Sequence, residues 1–157
     1  MSRDAEFVKL ASSKIIQFML KNEILKILLA GDGGQGIQLL ADIICRAAID
    51  KGLYATSIPN YGLEQRGGVS LAFIQISDKE IVYPKFTKPD ILLVMSEQAR
   101  ERVKNYKAEN VIDYKKFEKA NNVFFLAILA SQLSEFINPS LIEKELENKL
   151  SKKHGWE

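Results

Sequence analysis

The sequence predicts an α/β fold: a single domain on a mostly parallel sheet, with a β-hairpin and an extra N-terminal helix. Three observations carry this prediction. Residues 24–30 form a mostly apolar run broken only by Lys26, as in a strand buried on both faces. A glycine-rich loop from Gly31 to Gly36 follows, and then Ile37, Leu40, Ala41, Ile44 and Ala48 recur at helical spacing until Lys51-Gly52. Residues 53–58 read as a second short strand. Strand, loop, helix and strand thus fall within about 30 residues, the span of a βαβ unit with a right-handed crossover.

The other elements follow in order. Residues 6–20 place Phe7, Val8, Leu10, Ala11, Ile15, Phe18 and Met19 on one face of a helix, which packs on its own domain or meets a partner. Residues 59–68 are a turn-rich loop, 69–77 an alternating strand, and 80–83 its returning strand across an Asp78-Lys79 turn. Residues 91–95 are again a buried strand, and Ser96 caps a helix reaching about Tyr106. Residues 111–114 form a short strand and 117–136 a long helix. Asn138 caps a last helix, with Pro139 as its first residue, to about Leu150. The expected organisation is one domain over 1–157: a helical extension over 1–22, an α/β core over 23–115 and C-terminal helices over 116–157.

Composition narrows the chemistry. The chain has 157 residues, 46% apolar and 27% charged, enough to bury a core without a disulfide or metal. Lys plus Arg number 22 and Asp plus Glu 20, so no basic excess points to nucleic acid. Cys45 is the single cysteine and His154 the single histidine, the fourth residue from the end. No thiolate cluster site or Cys-His or Ser-His-Asp arrangement is legible, so no catalytic residue and no metal ligand is assigned. Arg3, Asp4, Glu6, Lys9 and Lys14 interrupt any secretory apolar core, and the longest apolar run, 123–130, is too short for a membrane span. These features lead to the expectation of a cytoplasmic protein with no membrane or nucleic-acid partner.

Two loops stand out. Gly31-Asp32-Gly33-Gly34-Gln35-Gly36 fits G-x-G-x-x-G and sits between a strand and a helix, the context in which that spacing has meaning. Glycines allow the tight turn and close approach of backbone N–H groups, and the helix start favours an anion. The second strand lacks the acidic residue that a dinucleotide ribose requires, and no Gly-Lys-Ser/Thr follows as in a P-loop. Close packing, a protein interface and a phosphate-bearing ligand remain open for this loop. The second loop is Tyr61-Gly62-Leu63-Glu64-Gln65-Arg66-Gly67-Gly68. Arg66 there is suited either to a carboxylate or phosphate, or to an internal ion pair with Glu64 or Asp32.

Spaced in this way, the two loops resemble the gamma subunit of the 2-oxoacid:ferredoxin oxidoreductases. Ile76-Ser77-Asp78-Lys79-Glu80-Ile81 and Pro89-Asp90-Ile91-Leu92-Leu93-Val94 are similar to that family's "I-S-D-x-x-I" and "P-D-x-L-x-V" stretches, and the likeness covers about residues 26–98. The resemblance implies a Rossmann-like module packed beside the active site of a complex that turns a 2-oxoacid into acyl-coenzyme A. Thiamine diphosphate and iron–sulfur clusters would lie on partner alpha and beta subunits, with a delta subunit in some complexes, and electrons would pass to ferredoxin. The resemblance makes Gly33, Gly34, Gln35 and Gly36 one ligand- or interface-facing loop, and Tyr61, Glu64, Arg66, Gly67 and Gly68 a second loop near the active-site entrance. Coenzyme A is the ligand implied for them; assigning Arg66 to one of its phosphates rests on guanidinium chemistry. Against the family pattern, two dozen residues precede the first strand and the stretch after Pro89-Asp90 is short. That predicts a smaller sheet with an exposed edge, and leaves open a free-standing module that binds a phosphate-bearing ligand or serves as a structural partner.

Overall fold

Alternation along the strands decides the architecture. In a computed structural model, which describes residues 24–61 and 68–154, Ile27 and Leu29 bury on one face of the sheet while Leu28 and Ala30 bury on the other. A strand apolar at every position needs cover on both sides, and here it has it. The elements are β1 (Leu25–Asp32), α1 (Ile37–Asp50), β2 (Tyr54–Tyr61), β3 (Val69–Ser77), β4 (Ile91–Val94), α2 (Glu97–Val103), β5 (Asn110–Asp113), a 3₁₀ turn (Tyr114–Lys116), α3 (Asn122–Gln132) and α4 (Pro139–His154).

The sheet order is β2-β3-β1-β4-β5. β1 pairs parallel with β4 and β4 with β5, while β3 runs antiparallel to both β1 and β2. Four of the five strands therefore point the same way and only β3 is reversed. On one face α1, α3 and α4 pack against Ile27, Leu29, Ile74, Ile76 and Leu93. On the other, Ala99 and Val103 of α2 meet Leu28, Ala30, Leu71, Leu92 and Val94. Asp90 clasps the start of the central pair: its carboxylate accepts from the Lys26 N–H at 2.8 Å, and its own N–H donates to the Lys26 carbonyl at 2.8 Å.

The helix caps match their sequence signals. The Ser96 hydroxyl accepts from the Ala99 N–H at 3.0 Å, and the Asn138 side chain accepts from the Ser140 N–H at 3.0 Å. Several boundaries differ from expectation. Residues 80–83 form no returning strand; Val82 and Tyr83 are 90% and 71% exposed. β3 already has a neighbour on each side, so its hairpin partner is the preceding strand β2. β2 runs on through Pro59 to Tyr61, which an edge strand tolerates because its outer side needs no donor.

The helix expected over 117–136 occupies only α3. The Asn121 side chain caps it by accepting from the Phe124 N–H at 2.9 Å, and Phe117 lies before it, edge-on to Phe124 at 5.1 Å. α2 stops at Val103, where Tyr106 turns back to donate to the Val103 carbonyl. The expected helix over residues 6–20 lies outside the described residues. Among the described residues, no helix is long and apolar enough to cross a membrane.

Candidate functional site

The carboxyl ends of β1, β2 and β4 lie along one edge of the sheet, with the start of β3 between those of β1 and β2, and the two glycine loops meet there. Tyr61, the last residue of β2, pairs with Ser70, which pairs in turn with Gly31 of β1. The Gly33 N–H then donates to the Gly68 carbonyl at 2.8 Å, joining the first loop to the end of the second. Of the nine residues singled out in the sequence, Gly33, Gly34, Gln35, Gly36, Tyr61 and Gly68 thus share one edge of the sheet. Glu64, Arg66 and Gly67 lie outside the described residues. In open α/β sheets this carboxyl edge is where ligands are received.

The first loop is built by its glycines. Gln35 N–H donates to the Asp32 carbonyl at 3.1 Å, closing a four-residue turn whose third residue, Gly34, has φ +90°. A turn with a positive φ at that place calls for glycine. Gly36 follows at φ +82° and opens α1 with no side-chain cap, so the first N–H groups of the helix keep their donors toward the loop. A side chain on Gly31 would stand 2.8 Å from both the Gln35 side-chain oxygen and Ile37 Cδ1, so this glycine serves close packing. A side chain on Gly34 would meet nothing within 4 Å, so the turn presents bare backbone to its surroundings.

Gln35 turns inward. Its side-chain oxygen accepts from the Asp32 N–H at 2.7 Å and its amide reaches the Met95 carbonyl at 3.4 Å, tying the loop to the end of β4. What it offers outward is main chain. Three supports were not read from the sequence. Asp32 Oδ1 accepts from the Ser96 hydroxyl at 2.6 Å, so one serine caps α2 and steadies the loop together. The Gln38 amide donates to the Leu71 carbonyl at 2.8 Å and to Ser70 Oγ at 3.1 Å, fastening the first turn of α1 to β3. A polar residue between Ile37 and Leu39 was the available signal. The Asn122 side chain lies against Gly36, so the starts of α1 and α3 meet at this edge.

The arrangement offers backbone donors and helix starts, which suit an anionic group. It does not offer cluster ligands: burial pushes the Cys45 thiol up to about 12, with the Asp42 charge adding to it, and an iron–sulfur cluster takes several thiolates. Among the described residues, no group of three or more His, Cys, Asp or Glu could hold a metal.

Fold and site together define an α/β module with a glycine-loop edge at the carboxyl ends of its parallel strands. Residues 26–116 match the pyruvate ferredoxin/flavodoxin oxidoreductase family, and the chain belongs to it. It is 51% identical over 75 residues to 2-oxoglutarate synthase subunit KorC of Methanothermobacter marburgensis, a match covering 47% of this chain and 40% of that one. The chain thus spans less than half the length of the curated relatives it matches. Among solved structures, a keto/oxoacid ferredoxin oxidoreductase gamma subunit from Geobacter sulfurreducens superposes with a TM-score of 0.58 at 24% identity, over 79% of this chain and 83% of that one. The 2-oxoglutarate:ferredoxin oxidoreductase of Magnetococcus marinus, with 2-oxoglutarate, coenzyme A and succinyl-CoA bound, superposes with a TM-score of 0.62 at 20% identity, over 83% of this chain and 28% of that one. At these identities the two structures speak to the fold.

Proposed function

We propose that this chain acts as the gamma subunit of a 2-oxoacid:ferredoxin oxidoreductase and helps hold coenzyme A beside the active site. The observation that carries the reading is the junction of the two glycine loops through the Gly33–Gly68 hydrogen bond, in a chain that belongs to this family. Coenzyme A is anionic through its phosphates, and the exposed Gly33-Gly34 turn with the start of α1 suits such a group. Arg66, in the second loop, supplies a guanidinium for one phosphate. Thiamine diphosphate, which supports decarboxylation of the 2-oxoacid, and the iron–sulfur clusters sit on alpha and beta partner subunits, with a delta subunit in some complexes, and ferredoxin takes the electrons. The single buried thiol of this chain fits that division of labour. The cytoplasm is the compartment this reading implies.

The test is affinity purification of the tagged chain from its native cell, with thiamine diphosphate and iron measured in the eluate. Larger partners at fixed stoichiometry carrying both cofactors are the expected result. The complex is then assayed for coenzyme A-dependent electron transfer from 2-oxoglutarate first, because the 51% identical relative is a 2-oxoglutarate synthase subunit. Arg66→Ala is expected to raise the coenzyme A requirement with the assembly intact. Recovery of the chain alone, free of both cofactors, would sink the reading in favour of a free-standing module.

A further inference from the structure

Among the described residues, no helix covers one half of the α2 face. α2 covers β1, β4 and the near side of β3, but on β2 the residues Tyr54, Thr56, Ile58 and Asn60 share a face with Phe73 of β3, since Ile58 and Phe73 are directly opposed. Among the described residues, Tyr83, residues 85–87 and Tyr106 border that region, and they leave an open cleft of about 700 Å³ walled by Ile58, Phe73, Tyr83, Phe86 and Tyr106. Tyr54 at 51% exposure and Val82 at 90% extend the apolar surface past its rim. Gln75, two residues on from Phe73 and 1% exposed, keeps a side-chain oxygen with no hydrogen-bond partner among the described residues. Solvent-facing aromatic surface on this scale calls for cover.

We infer that the amphipathic segment over residues 6–20 of this same chain docks in this cleft and serves as the missing helix of the α2 face. Position and length argue for it. Residues 1–23 enter the sheet at Leu25, which stands in register with Ile76 and, one strand further, Ala55. That is the end of the uncovered half beside Tyr54. Crossing from β1 to β2 takes about 10 Å, and the cleft lies about 10–17 Å along the strand. The four residues 21–24 reach about 13 Å and a 15-residue helix adds about 22 Å, enough to lie along the cleft. Its apolar face, with Phe7, Leu10, Ile15 and Phe18, matches the aromatic lining, while Ser13 falls on the opposite side. The inference stands independently of the proposed activity.

The test is hydrogen exchange on the full chain, compared with the full chain carrying Phe7→Ser, Ile15→Ser and Phe18→Ser together. Exchange of the amides of Tyr83 and residues 85–87 is expected to quicken about tenfold in the variant, with β1 protection unchanged. Equal exchange in the two proteins would overturn the inference. So would protection that falls on dilution, which would place the segment on a second copy, or protection that arises only with partner subunits bound. Should the triple variant lose β1 protection as well, a spin label on Ser13→Cys decides, since the buried Cys45 leaves the new thiol as the reactive one. Broadening of the signals of residues 83–87 supports docking; undisturbed signals refute it.

Discussion

Gly34 and Gly36 share a backbone sign and differ in their surroundings. Both take a positive φ, +90° and +82°, where an L-residue is strained whatever the space around it. A methyl group on Gly34 meets nothing, whereas one on Gly36 stands 2.9 Å from the Asn122 amide nitrogen. Gly34→Ala therefore carries the backbone cost alone, on the order of 1 kcal/mol, and Gly36→Ala adds displacement of Asn122, for a total of about 1–3 kcal/mol. Denaturant unfolding of both variants checks the order. Asn122→Ala in the Gly36→Ala background should recover part of the loss, because it removes the atom in the way. If Gly34→Ala proved the more damaging, the close approach of α3 to the loop would not be what constrains Gly36.

At the scale of elements, α1 and α4 are laced together by charge as well as by apolar contact. Asp42 on α1 pairs with Arg46 one turn on, at 2.9 Å, and with Lys149 of α4; Asp50 meets Lys144 of α4 at 3.5 Å. Burial alone would raise the Asp42 carboxyl, but Lys149 and Arg46 together outweigh it and hold it below the usual aspartate range. A carboxylate with a depressed folded pKa adds stability above its unfolded value of about 3.9, and that stability is lost as pH falls through the lower folded value. Asp42→Asn should therefore flatten the acid limb of the stability curve below about pH 4, and at neutral pH cost only about 0.5 kcal/mol, because the pair is partly exposed and screened. Thermal melts from pH 6 to pH 2.5 test this, and added salt should shrink the difference. An acid limb unchanged by the substitution would show that these ions do not couple the two helices. Nothing in the sequence announced Asp42 and Lys149 as partners, since their meeting depends on where α4 lies. The hairpin partner of β3 is hidden in the sequence for a related reason: alternation identifies β3 as a strand but is silent on which neighbour it joins.

For the whole molecule, the legible part was what local chemistry dictates. The run from Ile24 to Ala30 had to be covered on both faces, Ser96 and Asn138 had to cap, and the glycine spacing had to turn into a helix. The hydrogen bond from Gly33 to Gly68 was not legible, because it exists only once β3 lies between β1 and β2. The same tertiary closure buries Cys45 in the core shared by α1, α3, α4 and the sheet, and makes it a reporter on the entire fold. With its pKa pushed up to about 12, foremost by burial and then by Asp42, the thiol carries almost no thiolate at pH 8. In an unfolded chain the same group returns to about 8.5 and reacts readily. Alkylation at pH 8 should therefore wait on opening of the molecule, with a slow native rate that rises steeply at the denaturant midpoint. Binding that favours the folded state slows it further, by about a hundredfold for a ligand at 100 times its dissociation constant. Coenzyme A added to the assembled complex, with labelling of Cys45 followed by mass spectrometry, reads this directly. Rapid modification of the native protein, at a rate indifferent to denaturant below the transition, would mean that the helices over Cys45 open locally instead of with the core.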